Sequence, residues 1–180
     1  MAISPNRILV PVDFSAQSII ALGQSYNLAR ITKAEITILY VMEKSSFLHF
    51  GSGSSDEHTK AVQKKLDKLA ADVAREAKVE VDTMIAEGKV YEEIVDVAKK
   101  IRAKFIIMGT NETGTLKKFI GSNALRVVRE APCPVITIKG TVHRQGCKNI
   151  VLPLDLTKET REKVVRAVEF AKFFGSAIHV

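Results

Sequence analysis

The residues best suited to hold a ligand are a carboxylate, Asp13, and a run of glycine, hydroxyl and amide residues from Gly109 to Asn123. Asp13 closes the apolar run Arg7-Ile-Leu-Val-Pro-Val-Asp13. The second stretch starts as the apolar run Ile106-Ile-Met108 and breaks at Gly109. It then passes through Thr, Asn, Gly114 and two lysines, and restarts at Gly121-Ser122-Asn123 before the helical pattern Ala124 to Arg129. A strand, a glycine loop and a helix N-terminus leave backbone N–H groups facing a crevice, where the helix dipole favours an anion such as phosphate. An ordinary turning loop has the same composition, so pattern alone leaves both readings open.

Chemistry of other kinds finds little support. The chain has no G-x-x-x-x-G-K-[ST], HExxH or G-x-S-x-G segment, and no His or Cys beside an orienting carboxylate. No catalytic residue is assigned. Cys133 and Cys147 are too few for a disulfide framework and have no metal spacing, and His49 and His58 read as surface residues. The formal charge of +7 comes from lysines scattered along helices, which suits solvated faces better than nucleic acid.

Asp13 and the glycine loop need a scaffold, and the hydrophobic pattern supplies one. With 180 residues, 46% of them apolar and 26% charged, the chain is long enough for one well-buried domain with some left over. Residues 7–13 read as a parallel strand buried on both faces, and Ser15 as the cap of a helix to about Arg30. A strand at 34–41 follows, then a loop from Glu43 to His58, a helix from Glu57 to Lys78 and a strand at 79–86. Next come a helix at 90–101, a strand at 105–108, a helix at 122–130 and a strand at 135–138. Alternating strands and helices predict an α/β fold with an open, mostly parallel sheet and helices on both faces. Ligands of such sheets lie beyond the carboxyl ends of the strands where strand order reverses. If the first and fourth strands are neighbours there, Asp13 and Gly109 share one crevice.

Lys148-Asn-Ile-Val-Leu-Pro-Leu-Asp155 repeats Asn6-Arg-Ile-Leu-Val-Pro-Val-Asp13 at an offset of 142. The expected organisation is a first domain over 1–140, a linker over 141–147, and over 148–180 the start of a second domain of the same kind, incomplete. Asp155 stands where Asp13 does but is given no ligand. No stretch approaches the ~20 apolar residues that span a bilayer. The N-terminus lacks the order of a signal peptide, so a cytoplasmic location is expected.

With Ile8-Leu-Val-Pro-Val-Asp13, the Met108-Gly109 loop, Gly121-Ser122-Asn123 and Ala131-Pro-Cys-Pro-Val-Ile-Thr-Ile138 in view, the chain resembles the universal stress proteins over about residues 5 to 139 and again from about 147. The resemblance implies a five-stranded parallel sheet of order 3-2-1-4-5, Rossmann-like in the manner of the adenine nucleotide alpha hydrolases. It also implies a cytoplasmic, dimeric stress-response module, often joined through the last strand, whose nucleotide-binding members hold ATP. Carried over by position, Asp13 would lie near the ribose and phosphates, and would meet Mg²⁺ only through the nucleotide. Pro11 and Val12 would border the adenine, Val41 and Met108 would close the pocket, and Gly109, Gly121, Ser122 and Asn123 would wrap the phosphates. Any enzymatic activity would be at most slow ATP hydrolysis.

The family's ATP signature is Gly, two residues, Gly, nine residues, Gly, then Ser or Thr. Here Glu112 stands at the second glycine, and Gly121 arrives one residue early. Gly114 is expected to take over the turning role. A carboxylate ~5 Å from a phosphate charge costs on the order of 3 kcal/mol at an effective dielectric of ~20, about a hundredfold in affinity. ATP binding is therefore expected to be weak or absent. The alternative is a non-nucleotide stress protein acting through protein–protein interaction and dimerisation.

Overall fold

In the computed structural model, which describes residues 6–43, 54–110, 122–140, 147–155 and 160–180, Ile8, Leu9 and Val10 have no exposed surface. They form the centre of strand β1 (Arg7–Pro11), which pairs in parallel with β2 (Glu35–Met42) on one side and β4 (Phe105–Gly109) on the other. Strand β3 (Val81–Glu87) extends the sheet beyond β2, and β5 (Val135–Ile138) extends it beyond β4. The order is thus β3-β2-β1-β4-β5, all parallel. Apolar runs in β1, β2 and β4, interrupted inside only by the fully buried Thr37, are what a sheet covered on both faces requires.

The strands are connected by helices α1 (Ala16–Thr32), α2 (Ser54–Ala77), α3 (Val90–Lys100) and α4 (Ser122–Glu130). Helices α3 and α4 pack together, burying Ile94, Val97, Ala98, Ala124 and Val127 against Leu9, Leu39, Ile106 and Met108. Helix α1 lies along β4, β1 and β5 and touches α2, which rests on β3. At about 25 cal/mol per Å², burying each large aliphatic side chain contributes roughly 1.5–3 kcal/mol, so this two-faced core sets the architecture. Helix α2 begins at Ser54, three residues before the start that its apolar periodicity indicates, and so takes His58 out of the expected loop and onto an exposed helical position. Residues 44–53 of that loop lie outside the described residues.

Arg7 ties the N-terminal ends of three strands, with ion pairs to Glu35 at 2.8 Å and Asp82 at 2.9 Å. Helices α1, α2 and α3 are followed by Lys33, Lys78 and Arg102, all in the left-handed region at φ 52°, 55° and 54°. The chain thereby turns sharply back into the sheet. After α1 and α3 the reversal is closed by bonds from Ala34 N–H to the Ala29 carbonyl and from Ala103 N–H to the Ala98 carbonyl, both 2.9 Å.

Contacts divide the chain into units 1–143 and 144–180. The second contains β6 (Asn149–Val151), α5 (Thr160–Phe174) and β7 (Ala177–His179), with β6 and β7 parallel. Its geometry repeats that of β1-α1-β2 at the offset of 142. Asn149 pairs with Ala177 as Arg7 pairs with Glu35, and the Ala177 N–H donates to Lys148 as the Glu35 N–H donates to Asn6. Gly175 (φ 63°) takes the left-handed turn that Lys33 takes in the first unit. Among the described residues, no helix is long and apolar enough to cross a membrane.

Candidate functional site

Strand order reverses between β1 and β4: the chain leaves β1 toward β2 and β3, and returns to β4 and β5 on the other side. The connections that follow these two strands therefore diverge and leave a cleft at their carboxyl ends. A cavity of about 270 Å³ occupies this place. Its lining brings together Pro11, Val12, Asp13, Val41, Met108, Gly109 and Asn123 of the expected site. Gly114 and Gly121 lie outside the described residues, as do Glu112, Lys117 and Lys118. Ser122 is the first residue of α4, and nothing is described of its side chain.

The lining also takes in residues outside the expected site. Ser18 and Thr110 are buried hydroxyls, and Leu39, Val90, Ile94 and Ala124 make apolar wall. Periodicity identifies the apolar positions as core but cannot say that they face a cavity. Thr110 had a signal in its place directly after Gly109. Ser15 was legible only as a helix cap, and it does serve as one, accepting from the Ser18 N–H at 3.2 Å.

The carboxylate is held by the start of α1. Asp13 Oδ1 accepts the Ser15 N–H at 2.9 Å, while its own N–H donates to Ser18 Oγ at 3.3 Å. Partial burial pushes the Asp13 carboxyl up, but hydrogen bonds from the Ser15 and Ser18 side chains and from the backbone outweigh it, leaving the net pKa below the ordinary 3.8. Asp13 is thus an anion at neutral pH, fixed at the mouth of the cleft. The next residue, Phe14, adopts φ 60°, a left-handed conformation that is costly for a bulky side chain. Its ring rests against Tyr40 at 5.2 Å between centroids, with Lys65 Nζ 5.7 Å above it. Those contacts hold the turn that swings the chain from β1 into α1.

Gly109 lines the cavity, yet its missing side chain is required by the opposite neighbour. A Cβ there would lie 2.6 Å from the carbonyl oxygen of Gln17 in α1 and 2.8 Å from its carbon. The Gln17 side chain then bridges to the Ile138 carbonyl at 3.1 Å and the Gly140 carbonyl at 3.0 Å. Thr110 reaches Ile138 as well, through its N–H at 3.0 Å and its hydroxyl at 3.3 Å. The cleft wall, the first turn of α1 and the end of β5 are consequently one hydrogen-bonded block.

Among the described residues, no three His, Cys, Asp or Glu side chains gather as metal ligands. Cys133 is half-buried against the α3–α4 core, and burial pushes its thiol up to about 11, so it is mostly protonated at neutral pH and a poor nucleophile. In the second unit Asp155 holds to its own helix, through a hydrogen bond from the Thr160 hydroxyl and Lys163 at 3.7 Å. Thr160 stands 142 residues after Ser18, so the pairing of carboxylate and hydroxyl recurs there.

Comparison with known proteins adds four findings. Residues 5–139 match the sequence profile of the universal stress protein family. A universal stress protein of Methanocaldococcus jannaschii is 33% identical over 139 residues, covering 74% of this chain and 82% of that protein. Among solved structures, the universal stress protein UspA of Lactobacillus plantarum is 29% identical with a TM-score of 0.64, over 74% of this chain and 97% of its own. The universal stress protein of Archaeoglobus fulgidus in complex with dAMP shares the fold, with 23% identity and a TM-score of 0.57 over 74% of this chain and 97% of its own.

Proposed function

This chain belongs to the universal stress protein family, and from that premise we propose that it is a stress-response binding module holding an adenine nucleotide in the β1–β4 cleft. The observation that carries the reading is convergence. Asp13 stands 96 residues before Gly109 and 110 before Asn123, yet all three line one cavity at the strand-order reversal. In the proposed complex the base sits against Pro11, Val12, Val41 and Met108, the Asp13 carboxylate accepts from ribose hydroxyls, and the phosphate faces Asn123 at the start of α4. Ser122 joins it there, with Gly114 and Gly121 in the chain between β4 and α4. The relative from A. fulgidus, bound to dAMP, supports adenine nucleotide as the ligand class. ATP with Mg²⁺ would add phosphates that Glu112, by its place in the sequence, opposes.

Equilibrium dialysis of the full chain against adenine nucleotides, with and without Mg²⁺, tests this. Saturable binding that weakens when Met108 is replaced by a charged residue is expected, and no binding at millimolar nucleotide overturns the reading. We place the protein in the cytoplasm, acting as a homodimer through the outer edge of β5, with residues 148–180 as the start of a second domain of the same kind. The second reading, a stress protein that works through protein contacts alone, is favoured by Glu112 in place of the family's glycine. It predicts that Glu112→Gly leaves partner binding unchanged.

A further inference from the structure

The inference rests on the nucleotide reading of the cleft and names a residue that prepares the cleft for its ligand. Asp13 lines the cavity, while its neighbour Phe14 does not. The Val12 N–H still bonds to the Leu39 carbonyl at 2.8 Å, and Ser15 already caps α1, so the change of direction from sheet to helix falls on residues 13 and 14. Phe14 completes it at φ 60°, a conformation that glycine takes freely and phenylalanine only against its own sterics. A bulky residue stays there only where its surroundings hold it.

The holding contacts lie on the other face of the sheet. Leu39 and Val41 of β2 line the cavity, so Tyr40 between them points to the opposite face. The Phe14 ring rests against Tyr40, 5.2 Å between centroids at 32°, with Lys65 Nζ of α2 5.7 Å from its centre. Successive side chains therefore diverge at the turn, with Asp13 at the cleft and Phe14 anchored behind it. The hydrogen bonds of Asp13 run to Ser15 at 2.9 Å and Ser18 at 3.3 Å, and tie it to the start of α1. The ring supplies the tie to β2 and α2. We propose that Phe14 is a positioning residue whose ring, held by Tyr40 and Lys65, keeps Asp13 turned into the cleft before a ligand arrives. The cost of ordering the turn is then met by the fold instead of by binding.

Calorimetry of the full chain with AMP, ADP and ATP in Mg²⁺, and amide exchange followed by NMR without nucleotide, test this on three variants. Phe14→Gly removes the ring and the steric cost together, Phe14→Ala removes the ring alone, and Phe14→Tyr keeps the ring. The nucleotide that the parent binds tightest should bind at least about fivefold weaker to Phe14→Gly and Phe14→Ala, and within about twofold of the parent to Phe14→Tyr. Without nucleotide, the Ser15 amide, which donates to Asp13, should exchange at least about tenfold faster in Phe14→Gly and Phe14→Ala, with the Val12 amide unchanged. Unchanged affinity or an unchanged Ser15 amide in those two variants overturns the positioning role and leaves the nucleotide reading standing. So does a loss of affinity matched by faster exchange at Val12, because the whole strand end has then loosened, or a loss as large in Phe14→Tyr. Failure of the parent to bind any of the three nucleotides at millimolar concentration removes both.

Discussion

A methyl group at residue 109 would meet the Gln17 carbonyl oxygen at 2.6 Å, and backbone on both sides leaves it nowhere to go. Gly109→Ala should therefore destabilise the fold by about 1–3 kcal/mol through overpacking of α1 against β4, measured by urea denaturation. An unchanged midpoint would show that α1 shifts freely. The same glycine thus answers to helix packing as well as to the ligand site, and motif matching alone sees only the second role. Asp13 gives a pH test. Its folded pKa is below its unfolded value of 3.8, so its contribution is present above that value and lost as pH falls through the folded pKa. Asp13→Asn should flatten the loss of stability as pH falls below the ordinary 3.8, while a parallel acid limb in the variant would assign it to other carboxylates.

At the scale of elements, a side chain of α1 caps the end of α2. Arg30, in the last turn of α1, donates from Nε to the Ala77 carbonyl and from Nη2 to the Glu76 carbonyl, each at 2.8 Å. These are end carbonyls of α2, which lack partners within their own helix, and a cation there also complements the dipole. Arg30→Met should cost about 1 kcal/mol, and Arg30→Lys should recover only part of it, because an ammonium cannot reproduce the two-pronged geometry. Equal stability of the Lys variant and the parent would show that charge alone suffices. The neighbouring Tyr26 is pushed up to about 12 by burial, with Glu76 and Asp72 adding to the effect. Its contribution holds below the ordinary 10.0 and is lost as pH rises through the folded value, so Tyr26→Phe should remove a loss of stability on the alkaline side.

At the scale of the whole molecule, the repeat supplies an internal control. Leu9 in β1 has no exposed surface, while Val151, 142 residues on, is 77% exposed. The same strand–helix–strand path is therefore traced with very different burial. Hydrogen exchange should show the Ala177 amide opening at least about a hundredfold faster than its counterpart Glu35, since local stability follows buried apolar contact. Equal protection of the two amides would refute that account. Most of the fold was legible beforehand because long apolar runs and helical stripes fix element type locally, as β1, α3 and β4 illustrate. The start of α2 was not, since Gly- and Ser-rich sequence before it gives no periodic signal.

By itself the sequence determined that Asp13 ends a buried strand, that Gly109 breaks another, that residues 148–155 repeat 6–13, and which family the chain resembles. These are properties of neighbours along the chain, where side-chain type and period are sufficient. Only the tertiary structure decided that β1 and β4 lie side by side, that Ser18 and Thr110 face the same cavity as Asp13, and that Gln17 occupies the space beside Gly109. Those are contacts between groups as much as 100 residues apart, set by strand order and by the close packing of α1, and no local pattern encodes them.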